Sequence, residues 1–220
     1  MDLLSKIGYI AMIIDHLGKV FFPNYIIFQI VGRIAYPIFA YKLSIGINRS
    51  KNILLFIYRV IFTGIISQYF YMTILRENSL NICFTLGLGI ILSELIKNYS
   101  KNKLIYTFII IMILIISTEG IVEYGIYGVG LIYIFTKIDI LTDNIKTLLF
   151  YIIVITIYTY LCVVFYNWNI VQMYSIMAIP IVVFINKFNL NILTNKVNKY
   201  SHYLIYPVHF IIIYAVKILI

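Results

Sequence analysis

Ionisable side chains are scattered through stretches of this chain that are otherwise apolar. Asp15 and His16 stand late in the first apolar run, Arg33 and Lys42 in the second, and Arg59 in the third. Glu94 closes the fourth, Glu123 opens a short sixth run, and His202 and His209 lie in the last. An ionised group at mid-bilayer costs about 2.5–3.5 kcal/mol on insertion scales, so such groups are expected to face the bundle interior and to find partners. Imidazole, carboxylate and guanidinium are also what acyl transfer needs: a base that keeps an attacking amine neutral, and donors where a carbonyl oxygen gains charge. Helical spacing sharpens the pattern. Gln29, Arg33, Tyr36 and Ser44 fall along one face, Arg59, Thr63, Ser67 and Tyr71 along another, and His202, Tyr206 and His209 along a third beside Pro207. Stripes on separate helices predict a hydrophilic cavity. Simpler duties compete with chemistry: Asp15 can pair with Lys19 four residues on or with Arg33, Lys42 and Arg59 can snorkel to the surface, and Glu94 can sit at the interface beside Lys97. His202, near a helix start, reads as interfacial, and Asp139 and Asp143 read as loop charges.

The elements that must hold these residues are membrane helices. Hydrophobic residues make up 63% of the 220 and charged residues 11%, where a soluble domain needs roughly 25% charged residues; mean hydropathy is +1.00. A span needs about 20 apolar residues, and apolar runs recur at about 4–22, 25–47, 53–75, 80–96, 104–118, 121–136, 146–166, 170–186 and 201–219. The expected fold is an all-α polytopic bundle of about nine spans, one domain over 1–220, with no room for a soluble domain. The sixth run, with Gly125, Gly128 and Gly130, is short enough to be re-entrant or closely packed. No internal repeat is visible, which weighs against a transporter built from inverted halves. Cys83 and Cys162 both lie in apolar runs without metal-ligand spacing and read as small buried hydrophobes. The net charge of +9 does not point to nucleic acid, because the lysines sit in interhelical loops and form no basic stripe. They concentrate in alternate loops, from Arg49 and Lys51 through Lys97, Lys103, Lys137 and Lys187 to Lys196 and Lys199, whereas Arg76 is nearly alone opposite them. By the positive-inside rule the N-terminus lies in the cytoplasm.

Five blocks in order narrow the reading: Ala11-Met12-Ile13-Ile14-Asp15-His16, Gly32-Arg33-Ile34-Ala35-Tyr36-Pro37-Ile38-Phe39-Ala40, Leu80-Asn81-Ile82-Cys83-Phe84-Thr85-Leu86, Glu123-Tyr124-Gly125-Ile126-Tyr127-Gly128 and Tyr206-Pro207-Val208-His209. The series resembles the TraX family of membrane proteins, over nearly the whole chain, and is more distantly similar to the acyltransferase-3 group. That group carries a first-span arginine ahead of its histidine; here Ser5 and Lys6 occupy the region, so that arginine's role is not transferred. The TraX resemblance implies a conjugation-associated acetyltransferase of the bacterial cytoplasmic membrane, with acetyl-CoA as acyl donor, no metal, and the N-terminus of a pilin or other peptide as acceptor. Under that reading His16 is the base, Asp15 anchors Arg33, and Arg33 meets the carbonyl oxygen or a coenzyme A phosphate. Glu123 or His209 orients His16, Asn81 and Thr85 supply neutral hydrogen bonds, Tyr124 and Tyr206 contact substrate, and Arg59 draws in phosphates. Two other classes fit the same composition: a small transporter whose buried charges line a path, and a non-catalytic pilin-assembly factor.

The charge asymmetry predicts topology. Single cysteines placed in the Lys97–Lys103 and Lys187–Lys199 loops, in a background lacking Cys83 and Cys162, should resist an impermeant maleimide in intact cells. Cysteines at Arg76–Ser79 and Asn167–Asn169 should react. Labelling of the lysine-rich loops from outside would reverse the orientation.

Overall fold

Hydrocarbon offers no hydrogen-bond partners, so a chain that crosses it must satisfy its backbone within helices. A computed structural model of the protein describes residues 2–101, 103–118, 120–190 and 201–219; Glu119, Lys196 and Lys199 lie outside them. The described residues form α1 (Leu3–Phe21), α2 (Ile26–Gly32), α3 (Ala35–Arg49), α4 (Ile53–Leu75), α5 (Ile82–Lys97), α6 (Lys103–Thr118), α7 (Gly125–Lys137) and α8 (Ile145–Phe165). A 3₁₀ helix (Ile170–Met177) then runs into α9 (Ala178–Lys187), and α10 (Ser201–Leu219) follows. The breaks are set by polar caps. Asp2, Asn52, Asn81, Asn144 and Asn169 each accept a backbone N–H of the helix they precede, satisfying donors that the first turn leaves open.

Among the described residues, five stretches are long and apolar enough to cross a membrane: Ile26–Arg49, Ile53–Leu75, Ile145–Phe165, Ile170–Lys187 and Ser201–Leu219. Large apolar side chains such as Leu54, Phe62, Leu104, Phe108, Phe150 and Phe165 are exposed, while Ser67, Asn81, Thr85 and Thr159 are fully buried. That inside-out distribution is what lipid, rather than water, selects, and the chain is a helical membrane bundle. The expected count of about nine spans is approximate. α1 carries Lys6, Asp15 and Lys19 in 19 residues, and α6 and α7 have 16 and 13 residues, so α7 reaches only about 20 Å of the hydrocarbon's roughly 30 Å.

The second span is not one straight helix. Pro37 has no N–H for the carbonyl of Arg33, and its ring crowds that carbonyl. The ladder accordingly breaks at Arg33–Ile34, where the Ile34 N–H reaches Val31 O at 3.4 Å, and α3 starts again at Ala35. Pro180 stands in the first turn of α9, where a missing N–H is tolerated.

The helices fall into two compact units, Met1–Lys42 with Ile138–Ile205 and Leu43–Lys137 with Tyr206–Ile220. In the first, α1 packs on α2, and α2, α8 and α9 each meet the 3₁₀ helix. α1 and α2 approach so closely that a Cβ on Gly18 would lie 2.2 Å from Phe28 Cβ. In the second, α5 is central, packing on α4, α6 and α7, with Leu92, Ile113 and Val129 meeting in its core. The link before α7 folds back: Leu80 N–H donates to Ile121 O and Glu123 N–H to Leu80 O, both at 2.8 Å. Tyr124 and Gly125 then take left-handed backbone angles, φ 62° and 44°. A side chain on Gly125 would meet Ser117 O at 2.5 Å, which is why only glycine fits there.

Lys42 does not simply snorkel. Its ammonium grips Asp2 at 2.5 Å, tying α3 to the start of α1. Burial works to raise the Asp2 carboxyl, but the hydrogen bonds from Lys42 and the Ser5 N–H and the lysine's charge outweigh it and hold the group below its ordinary value. A carboxyl lowered by folding stabilises the fold above its unfolded pKa and loses that contribution as pH falls through the folded one. Melting temperature of the detergent-purified protein should therefore drop below about pH 4. Lys42→Met should cost about 1 kcal/mol at neutral pH and flatten that acid limb; an unchanged limb would remove the tie from the account.

Candidate functional site

Asp15 and His16 come from one turn of α1, and each is 5% exposed. As helix neighbours their side chains diverge by about 100°, so each looks to a different partner. The Asp15 carboxylate receives Lys19 Nζ at 2.8 Å on one oxygen and Arg33 Nη2 at 3.4 Å on the other. Both structural pairings open to it in the sequence are made at once. Arg33 can reach because it caps α2 at the break before α3, free of a regular helix's course. Gly32 makes the approach physically allowed: a Cβ there would lie 2.3 Å from Asp15 Oδ1 and 2.4 Å from its Cβ. The second amino group of Arg33, Nη1, donates to Gln172 Oε1 at 3.0 Å. Asp15, His16 and Arg33 thus belong to the first unit, joined by a residue that the sequence reading passed over. Gln172 is uncharged, and a search for ionisable residues does not find it. The available signal was a lone amide in an apolar run between Asn169 and Pro180.

Glu123, His209, Asn81, Thr85, Tyr124, Tyr206 and Arg59 all belong to the second unit. Two of them have structural duties there. Asn81, fully buried, donates to Gly64 O and Gln68 Oε1, both at 2.8 Å, and accepts the Cys83 N–H at 3.0 Å. It caps α5 and ties it to α4, with no amide donor left for a ligand. Thr85 gives its hydroxyl proton to the Glu123 carbonyl, holding the link before α7. The polar stripe of α4 turns inward on itself: Thr63 donates to Arg59 O and Ser67 to Thr63 O, each at 2.8 Å. Each hydroxyl proton is thus satisfied on the preceding turn of the same helix. Tyr71 meets Ser79 Oγ at 3.1 Å. His209, 5% exposed, lies against Phe210 and Tyr206, with ring centroids 4.1 and 5.3 Å away. His202 lies in the first unit, where its carbonyl accepts the Tyr9 hydroxyl at 2.9 Å. Cys83 and Cys162 are free and buried.

Removing the Asp15 charge leaves Lys19 and Arg33 with no shared anion. Asp15→Asn should destabilise by about 2 kcal/mol, less than a fully buried broken pair because Lys19 keeps contact with solvent. Asp15→Asn combined with Lys19→Met should recover part of that loss in thermal unfolding. Strict additivity of the two changes would dissolve the proposed sharing.

Residues 1–217 match the family described as TraX protein. Over 91 residues the chain is 37% identical to an uncharacterized protein of Rickettsia prowazekii (strain Madrid E), a stretch covering 40% of this chain and 34% of that relative. The match thus spans about a third of the relative's length. No solved structure matches. With the family match running essentially from end to end, through the helices that carry Asp15, Arg33, Asn81, Glu123 and His209, the chain belongs to the TraX family.

Proposed function

We propose that this protein is a membrane-embedded acetyltransferase that moves an acetyl group from acetyl-CoA to an amine, the N-terminus of a pilin or other peptide. The observation that carries the reading is the pairing of buried Asp15 with half-buried Arg33, with buried His16 beside it on α1, in a chain of the TraX family. Arg33 remains charged at any accessible pH, and Asp15 fixes where that charge is presented. Imidazole titrates near neutrality and suits a base that takes a proton from an amine.

The amine nitrogen attacks the thioester carbonyl carbon and a C–N bond forms. The carbonyl π pair moves to oxygen, where Arg33 can answer the new charge. His16 takes the amine proton. When the π pair returns, the C–S bond breaks and coenzyme A leaves as a thiolate that picks up a proton. Asn81 and Thr85 hold α5 and the link before α7. Acetyl-CoA is a cytoplasmic metabolite, so a bacterial cytoplasmic membrane with the lysine-rich loops inside is the setting this chemistry requires.

Purified protein in liposomes, given radiolabelled acetyl-CoA and a peptide with a free N-terminus, tests the reading. Transfer to the peptide should fall at least about 100-fold in His16→Ala, as expected for loss of a general base, and comparably in Arg33→Ala. Lys42→Ala should retain turnover. The reading is abandoned if the wild type transfers no label to any amine, and the base is misassigned if His16→Ala keeps its rate.

A further inference from the structure

We propose that the side-chain amide of Gln172, held in place by Arg33, is the hydrogen-bond donor for the acyl carbonyl oxygen of the thioester. This rests on the acetyltransferase reading and adds to it a site residue on the 3₁₀ helix.

The orientation of the amide is decided by its partner. Arginine can only donate, so the atom facing Arg33 Nη1 at 3.0 Å is the amide oxygen and the NH₂ group points away from the guanidinium. Gln172 is 4% exposed, and its Nε2 has no hydrogen-bond acceptor among the described residues. A buried N–H without an acceptor costs about 1–3 kcal/mol, which a fold accepts where something else supplies the acceptor. The local helix type contributes. In a 3₁₀ helix, residues three apart eclipse, so Gln172 and the buried Ser175 lie on one line. An α-helix would set them about 60° apart.

The charges choose the ligand. Asp15, Lys19 and Arg33 leave the cluster net positive by one, which repels an ammonium. A permanent anion would have to compete with Asp15 for Arg33. An oxygen that is neutral at rest and becomes negative only as the tetrahedral intermediate forms has no such conflict, and a preset neutral donor next to a guanidinium suits it. As the amine attacks, the π pair arrives on the oxygen held by the Gln172 N–H; when it returns, the C–S bond is released.

The carbonyl can be tested apart from turnover. Full-length protein in nanodiscs is titrated with acetyl-CoA and with S-ethyl-CoA, a thioether of similar shape lacking the carbonyl. The wild type should bind acetyl-CoA about tenfold more tightly, the worth of one good buried hydrogen bond. Gln172→Met should bring the two affinities within about twofold while leaving that for S-ethyl-CoA unchanged. Gln172→Glu guards against a folding artefact: it replaces the unpartnered N–H₂ with oxygen beside Arg33, so it should melt higher than the wild type yet lose the preference for the carbonyl. Equal binding of both ligands by the wild type, or a preference that survives Gln172→Met, overturns the assignment while leaving the acetyltransferase reading standing. A lower melting point for Gln172→Glu also overturns it, because the amide N–H would then be satisfied at rest. Failure of the wild type to bind either compound removes acetyl-CoA as donor and the inference with it.

Discussion

The carboxylate of Asp15 is the charge around which the first unit is arranged. It is buried in α1, and a lone carboxylate there would be far too costly to keep ionised. Lys19 covers it from the same helix and Arg33 from the next. That second contact requires α1 and α2 to touch almost at their backbones, which Gly32 permits, and requires the chain to break at Arg33, which Pro37 enforces. Arg33 then extends the network to Gln172, so α1, the α2–α3 break and the 3₁₀ helix are fixed by one set of charged and polar groups. Such a network adds little to net stability, because desolvation offsets most of the attraction. Its effect is on geometry: alternative packings of these helices would strand a charge.

The second unit satisfies many of its polar groups with hydrogen bonds close at hand. Its hydroxyls donate to carbonyls one turn earlier, its asparagine caps α5, and the link before α7 pairs its backbone with Leu80. Each of these devices satisfies a polar group that lipid would leave exposed. Residues with the chemistry to bind a ligand are therefore often engaged in holding backbone, as Asn81 and Thr85 are. Polarity inside a membrane bundle is evidence of a site only after those duties have been subtracted.

The blocks that carry the TraX resemblance fall at such places. Asp15-His16 and Gly32-Arg33 form the crossing of α1 and α2, Leu80-Asn81 caps α5, Glu123-Tyr124-Gly125 makes the left-handed turn into α7, and Tyr206 with His209 packs within α10. The first four blocks sit where a helix ends, breaks or crosses another closely, and the last lies inside α10. Any chemistry at these positions is consequently coupled to fold, which is why binding and melting have to be measured together for each variant.

Hydropathy and local spacing are properties of short stretches, and they carried the sequence reading a long way. The approximate positions of the helices and the shortness of α7 were legible because backbone satisfaction in lipid depends on residues within a turn or two of each other. Asp15 with Lys19 was legible for the same reason, being one turn apart. The break at Arg33 was less so, since Pro37 fits equally into a kinked continuous span. What only the tertiary structure decided were the choices between distant partners. Arg33 and Gln172 are 139 residues apart, and no periodicity links them. Lys42 pairs with Asp2, and Thr85 was taken by the Glu123 carbonyl. A hydrogen bond across helices depends on how closely two backbones approach and in which direction each side chain leaves, and those follow from packing that no local stretch of sequence encodes.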